Sequence, residues 1–230
     1  MPTIEEHQKV QAIAKVVLNE LASLINGNDS ENSIAKRAKD LLMQHGVTET
    51  WYYDCPAFVL LGSRSCLSIS GRDYEPSNEK VGETNLVSID LSPSVNGVWG
   101  DCARSFYIEN GRCNLIPTTP EFVVGFELER SLHQQLIAFA SPEKTFAELH
   151  EFANQIIVDA GFENLDFLGN VGHSIETVKE KRQYIEASNH SPLGSAKLFT
   201  FEPHIRTIGG DWGFKHENIY YFNDDSLLEL

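Results

Sequence analysis

Two aspartates lie within a stretch whose residue types could do chemistry, VSIDLSPSVNGVWGDCARSF from Val87 to Phe106. A strand-type run, Val87-Ser88-Ile89, ends in Asp90. Turn formers follow (Ser92, Pro93, Ser94, then Asn96-Gly97), and the chain returns through Asp101 towards Arg104 and Phe106. Asn-Gly between two strand-like runs signals a two-residue hairpin. In such a hairpin, directly paired residue numbers sum to an odd total and side chains alternate faces. Asp90 and Asp101 therefore share a face in any unbulged register. Two carboxylates on one face, with no Lys or Arg between them in the sequence, repel unless a cation or a shared proton relieves them. A pair of surface aspartates in a loop would give the same letters, so this pair alone does not define a site.

Three further residues in the C-terminal half are compatible with a metal. His173 lies in GNVGHSI, where flanking glycines let backbone approach closely; a lone His of this kind is more often structural than a ligand. Glu202 lies in KLFTFEPHI, at the end of an apolar run where a charge is costly without a partner. Glu217 lies in FKHENIYYF, against another buried-looking strand, and Gly209-Gly210 falls midway between the two glutamates. A tight turn there would set Glu202 directly across from Glu217. Two carboxylate pairs and one imidazole suit Mn, Fe, Co or Zn better than a structural thiolate zinc. Such a set can hold two cations that share a hydroxide.

The elements that must position these residues are legible in the periodicity. Ile4, Val10, Ile13, Ala14, Val17, Leu18, Leu21 and Leu24 predict a helix over 4–25. Ser30 is the expected N-cap of a second helix ending near Gln44, with Gly46 just past it. Residues 51–70 are expected to form one or two strands. A strand over 104–108 ends at Asn110-Gly111, and helices follow over 121–140 and 146–160. Thr145 and Glu148 spell a capping box for the last helix and Gly161 closes it. Beyond it the pattern returns to strands and loops. The result is an α+β arrangement, a mostly antiparallel sheet with helices outside. No internal stretch is rich enough in Pro, Gly or Ser to mark a boundary, so one domain over 1–230 is expected.

Composition narrows the partners. The 230 residues carry a formal charge of −15, which argues against nucleic acid and anionic membrane as partners. No apolar run is long enough to span a bilayer, and MPTIEEHQKV lacks the basic-then-apolar order of a signal peptide, so a cytoplasmic location is expected. The four cysteines (Cys55, Cys66, Cys102, Cys113) form no CxxC pair and are expected to be reduced, structural thiols.

The order of these motifs resembles a known family. Asp, an eleven-residue step to Asp, then GH, FEP, and EN before a strand resembles the methionine aminopeptidase/prolidase/creatinase family over roughly residues 5–225. GDCARSF resembles that family's second-Asp motif, TFEP its TxEP motif, and DWGFKHEN the segment leading to its last Glu. The resemblance implies the pita-bread fold, a curved antiparallel sheet with helices packed outside, and the catalytic domain alone. It further implies two divalent metal ions (Mn, Fe, Co or Zn), with Asp90 chelating one, Asp101 and Glu217 bridging, and His173 and Glu202 holding the other. Glu202 would also shuttle a proton while a metal-bridging hydroxide attacks a carbonyl. A small peptide or amide substrate and, as a family-based expectation, a homodimer complete the implication.

Two departures from the family touch function. The family's peptidases carry histidines where this chain has Asp73, in GRDYEP, and Glu180, in ETVKEKRQY. Acids in these catalytic positions change both charge and donor count. His204 or His216 could substitute in space, although both read more readily as neighbours of the ligands. Lys179, Lys181 and Arg182 could reach a substrate carboxylate, but such a run is more often a solvated face. Lys215 stands where many relatives have Arg, which keeps the charge and loses the bidentate fork. Besides an aminopeptidase-like hydrolase, the sequence therefore leaves open a non-peptide C–N hydrolase of the creatinase type or another specialised biosynthetic enzyme. A catalytically inactive binding domain also remains open.

Overall fold

Two helix pairs, each laid against antiparallel strands, form the outer layer of the computed structural model, which describes residues 2–230. The first pair is α1 (Ile4–Leu24) and α2 (Glu31–Gln44). Thr3 and Ser30 start them by accepting the Glu6 and Ser33 backbone N–H groups. Each such cap contributes about 1 kcal/mol. The apolar stripe predicted for α1 faces inward: Ala14, Val17, Leu18 and Leu21 pack with Ile34, Ala38 and Leu42 of α2. Burying a side chain such as Leu21 or Ile34 is worth roughly 1.5–3 kcal/mol.

Strands β1 (Glu49–Thr50), β2 (Ala57–Leu61), β3 (Thr84–Leu91), β4 (Pro93–Val95), β5 (Val98–Trp99), β6 (Cys102–Glu109) and β7 (Arg112–Asn114) follow. They pair in the orders β2-β3-β6-β7 and β1-β4-β5, all antiparallel. Strands β3 and β6 bury Val87, Ile89, Phe106 and Ile108 under the first helix pair. Of the one or two strands expected within 51–70, one forms, β2. Trp51–Cys55 turns back on itself with Tyr53 and Asp54 at φ of 46° and 57°, and Gly62–Cys66 is a 3₁₀ turn. Pro56 has no N–H to offer a ladder, which stops β2 from extending further back.

The second half repeats the plan. Helices α3 (Pro120–Phe139) and α4 (Phe146–Asp159) pack on β8 (Phe162–Asn164), β9 (Phe199–Phe201), β10 (His204–Thr207), β11 (Phe214–Lys215), β12 (Asn218–Asn223) and β13 (Ser226–Glu229). Thr145 and Glu148 form the capping box predicted for α4. The strand orders are β11-β10-β8 and β13-β12-β9. Strand β6 joins the halves: the Glu217 N–H donates to Ala103 O at 3.0 Å and the Lys215 N–H to Ser105 Oγ at 2.8 Å. The cleft between the halves is where the acidic residues converge. All four cysteines are free, and no helix among the described residues is long and apolar enough to cross a membrane.

Candidate metal centre

The Asn96-Gly97 turn sets the first carboxylate pair. Both residues have the positive φ (52° and 77°) that this turn requires, and Ser94 faces Trp99 across it. The same register continues into β3 and β6, where Asp90 faces Ala103. Asp101 lies two residues before Ala103, so it is the diagonal neighbour of Asp90 on the same sheet face. Gln11, buried on α1, clamps the Asp101 backbone from both sides. Its amide donates to Asp101 O at 2.7 Å and its Oε1 accepts the Asp101 N–H at 2.8 Å.

The second pair follows the same arithmetic with a longer turn. His204 faces Lys215 on β10 and β11, and Phe201 faces Asn218 on β9 and β12. This common register makes Glu202 the opposite number of Glu217, although a six-residue connection, 208–213, replaces the tight turn expected at Gly209-Gly210. The ladder opens at that rung. Arg104 holds the far side of the opening: its guanidinium donates to Glu217 O at 2.6 Å, to Ala103 O at 2.7 Å and to Asn218 Oδ1 at 2.7 Å. These contacts explain why Arg104 and Asn218 accompany the acids in the motifs GDCARSF and EN.

His173 completes the cluster. Its Nδ1 donates to Ser174 O at 2.9 Å, which turns the lone pair of Nε2 towards the acids, 3.5 Å from both Asp101 Oδ2 and Glu202 Oε1. Gly172, at φ 151°, lets this segment press onto β9, where a Cβ would meet Thr200 O at 2.2 Å. Two groups of ligand atoms lie within 4.8 Å of one another: Asp101, His173 and Glu217, and Asp90, Glu202 and Glu217.

The electrostatics divide the cluster. Burial, then the neighbouring Asp90 and Glu202 charges, push Asp101 well above the usual carboxylate range; burial and the Asp101 charge do the same to Glu217. Burial also disfavours a charged Glu202, but Lys215 and His173 outweigh it and hold that carboxyl down at about 2. Burial pushes the His173 imidazole down, which keeps it neutral and free to coordinate. Lys215 Nζ stands inside the second group, 2.6 Å from Asp90 Oδ2, 3.0 Å from Glu202 Oε2 and 3.9 Å from Glu217 Oε2.

Asp90, Asp101, His173, Glu202 and Lys215 line a cavity of about 210 Å³, and Glu217 lies buried behind them. Asp73 and Glu180, the acids expected beside the metals, are exposed and do not line this cavity. Asp73 ends a turn in which its N–H donates to Ser70 O, and Glu180 sits in the short 3₁₀ turn Lys179–Lys181. Arg182 instead reaches the wall, its guanidinium 5.2 Å from the Trp51 ring and 5.3 Å from that of Tyr184. Trp51, Asp166 and Tyr184 also line the cavity, and no motif marks them in the sequence. The aromatic run Trp51-Tyr52-Tyr53 is the one signal for the first, and its composition equally suits a strand. His204 lines the cavity and its Nε2 donates to Ser65 O at 2.6 Å, whereas His216 faces away and packs against His133.

The residues present fit a divalent metal. Asp101 Oδ2 and both carboxylate oxygens of Glu217 are buried without a hydrogen-bond donor, an arrangement that only a proton or a cation satisfies. Four carboxylates and one imidazole form the oxygen-rich donor set that such ions prefer.

Sheets, helices and acidic cleft together define a pita-bread enzyme fold, and solved structures agree. An X-Pro aminopeptidase from Thermotoga maritima superposes with a TM-score of 0.81 at 20% identity, covering 98% of this chain and 60% of that one. The prolidase from Pyrococcus furiosus gives 0.80 at 21% identity, covering 100% and 64%. A methionine aminopeptidase from Rickettsia prowazekii gives 0.76 at 14% identity, covering 100% and 98%. Among curated proteins, an Xaa-Pro dipeptidase of Lactobacillus delbrueckii subsp. lactis is 27% identical over 187 residues, 81% of this chain and 47% of that protein. An uncharacterised peptidase of Schizosaccharomyces pombe is 23% identical over 171 residues, 74% of this chain and 36% of its own. The chain thus spans less than half the length of these two relatives. The profile of metallopeptidase family M24 matches residues 5–224, and the chain belongs to that family.

Proposed function

We propose that the protein is a metal-dependent hydrolase of a small peptide or amide, working in the manner of an aminopeptidase. The observation that carries this reading is the trio of donor-less buried oxygens on Asp101 and Glu217, grouped with His173 Nε2 beside an open cavity. A binding domain gains nothing from such a cluster, because buried carboxylates without cations are destabilising.

Asp101, His173 and Glu217 would hold a divalent ion, and Asp90 and Glu202 border it. Such an ion supplies an activated water at neutral pH and polarises the scissile carbonyl. Glu202, ionised and 3.5 Å from His173, is placed to accept a proton from the water and return it to the leaving amine. Lys215 keeps Glu202 oriented through a 3.0 Å contact. Trp51, Phe58, Leu60 and Tyr184 exclude water from an apolar side chain, and Arg182 offers a cation to a substrate carboxylate. The relatives named for Xaa-Pro cleavage make peptides with proline the first substrates to try.

The test is a panel of dipeptides, Xaa-Pro peptides and small amides, assayed after anaerobic purification with Mn or Fe supplied. Metal-dependent release of an amine from at least one of them is expected. No turnover together with no thermal shift on adding metal would remove the enzymatic reading. A second reading, hydrolysis of a non-peptide C–N bond, is favoured by one observation: Asp73 and Glu180 do not reach the cavity, so its hydrogen-bonding wall is made by other residues. Bound metal without turnover on any peptide would move the assignment there.

A further inference from the structure

We propose that the Lys215 ammonium is a built-in cation for the Asp90–Glu202 side of the cluster, so that the centre takes one divalent ion, on Asp101, His173 and Glu217. The inference rests on the metal-centre reading above and concerns how many ions that centre holds.

The cluster contains two overlapping ligand groups that share Glu217. Their state of satisfaction differs. The fully buried carboxylate oxygens without a donor belong to Asp101 and Glu217, which are 3% and 1% exposed, and both residues are in the group with His173. Asp90 and Glu202 are more exposed, at 23% and 20% of their side chains, and Lys215 Nζ lies 2.6 Å from Asp90 Oδ2 and 3.0 Å from Glu202 Oε2 while Thr200 Oγ1 donates to Glu202 Oε1. A metal bound by these two carboxylates would sit about 2.0–2.2 Å from their oxygens, and so would share them with an ammonium already in contact.

The ammonium is not a wandering surface charge. Strand β11 places Lys215 opposite His204, and Ser105 Oγ holds its backbone N–H at 2.8 Å. The side chain is 17% exposed and enters the cleft between the two carboxylates. Lysine is a compact point charge, able to stand where a metal ion would stand. Charge counting agrees. One lysine and one divalent ion leave the four carboxylates with a single negative charge, and a second divalent ion would reverse that sign.

The experiment is to strip the protein of metal, load it with excess Mn(II), remove unbound ion by gel filtration, and measure manganese per chain by elemental analysis alongside the EPR spectrum. The wild type is expected to hold one ion with the six-line signal of isolated Mn(II). Lys215→Met is expected to hold two, with the broadened signal of an exchange-coupled pair. Any wild-type count other than one overturns the inference, as does a folded Lys215→Met protein that stays at one. Two ions in the wild type would leave the hydrolase reading standing, whereas none in either protein would remove the metal centre itself. If Lys215→Met does not fold, the wild-type stoichiometry and spectrum decide alone.

Discussion

Glu202 stands opposite Glu217 in a register shared by the strands on either side, yet the two exchange no backbone hydrogen bond. The Glu202 N–H donates to Val171 O at 2.9 Å and the Glu217 N–H to Ala103 O at 3.0 Å, so one rung of the hairpin is pulled apart by its two neighbours. The gap admits the side chains of His173 and Lys215 between carboxylates that would otherwise only repel.

Asp101→Asn should separate folding from metal binding. The wild-type carboxylate has one oxygen unpartnered, and burial, followed by repulsion from Asp90 and Glu202, pushes its pKa up. Neutralising it should leave the metal-free protein at least as stable, with a gain of about 1 kcal/mol or more. The rise in melting temperature on adding Mn(II) should disappear. Thermal melts with and without metal check both signs, and an undiminished metal shift in the variant would contradict the ligand assignment.

Glu202→Gln should lose turnover while keeping its ion. The amide cannot take a proton from water, so kcat should fall by roughly 10²–10⁴. Asp101, His173 and Glu217 remain to hold metal, so elemental analysis should show an unchanged content. The comparison is made on whichever peptide or amide the wild type hydrolyses.

Gly172→Ala tests the close approach that positions His173. An added Cβ would meet Thr200 O at 2.2 Å, at a φ of 151° that L-residues rarely adopt. The shift would break the bonds that tie His173 to Thr200, N–H to Oγ1 at 3.1 Å and carbonyl to Thr200 N–H at 2.7 Å. A loss of about 2 kcal/mol or more and a weaker Mn(II) affinity are expected, measured by denaturant melts and calorimetric titration.

Glu129 supplies a pH signature away from the cleft. Burial pushes its carboxyl up from 4.5 to about 8, with Arg104 and the Tyr107 and Ser105 hydroxyls opposing. A folded value above the unfolded one means the folded state binds the extra proton. This contribution to stability is complete below pH 4.5 and is lost as pH rises through about 8. Glu129→Gln should therefore be close to wild type in acid and progressively more stable than it towards pH 8, by a few kcal/mol in order of magnitude. Urea melts across that range test it, and a constant difference would refute the assignment.

Local signals in the sequence carried much of the architecture, because the interactions that set them are local. The capping residues Thr145 and Glu148 and the Asn96-Gly97 and Asn110-Gly111 turns act within a few positions of themselves, and each is found where expected. Strand periodicity then propagated hairpin register outward from a turn, which is why Asp90 shares a face with Asp101 and Glu202 opposes Glu217. Even the lengthened connection at 208–213 kept that register. The ordered motifs around the five acidic and imidazole residues were enough to point to the family.

What the tertiary structure alone decided is where charged and aromatic side chains outside those ladders end up. Asp73 and Glu180 occupy positions that look catalytic by counting, but each is exposed in a turn outside the cavity lining. Arg182 looked like part of a solvated run and instead stacks into the cavity, while Trp51 left its expected strand to lie edge-on to His173 at 5.6 Å. Lys215 read as a conservative replacement, and only the packing of β11 against β6 set its ammonium between Asp90 and Glu202. Loops and long flexible side chains obey no two- or three-residue period. Their positions follow from burial and charge across residues distant in the chain, which become neighbours only when the two halves close on one another.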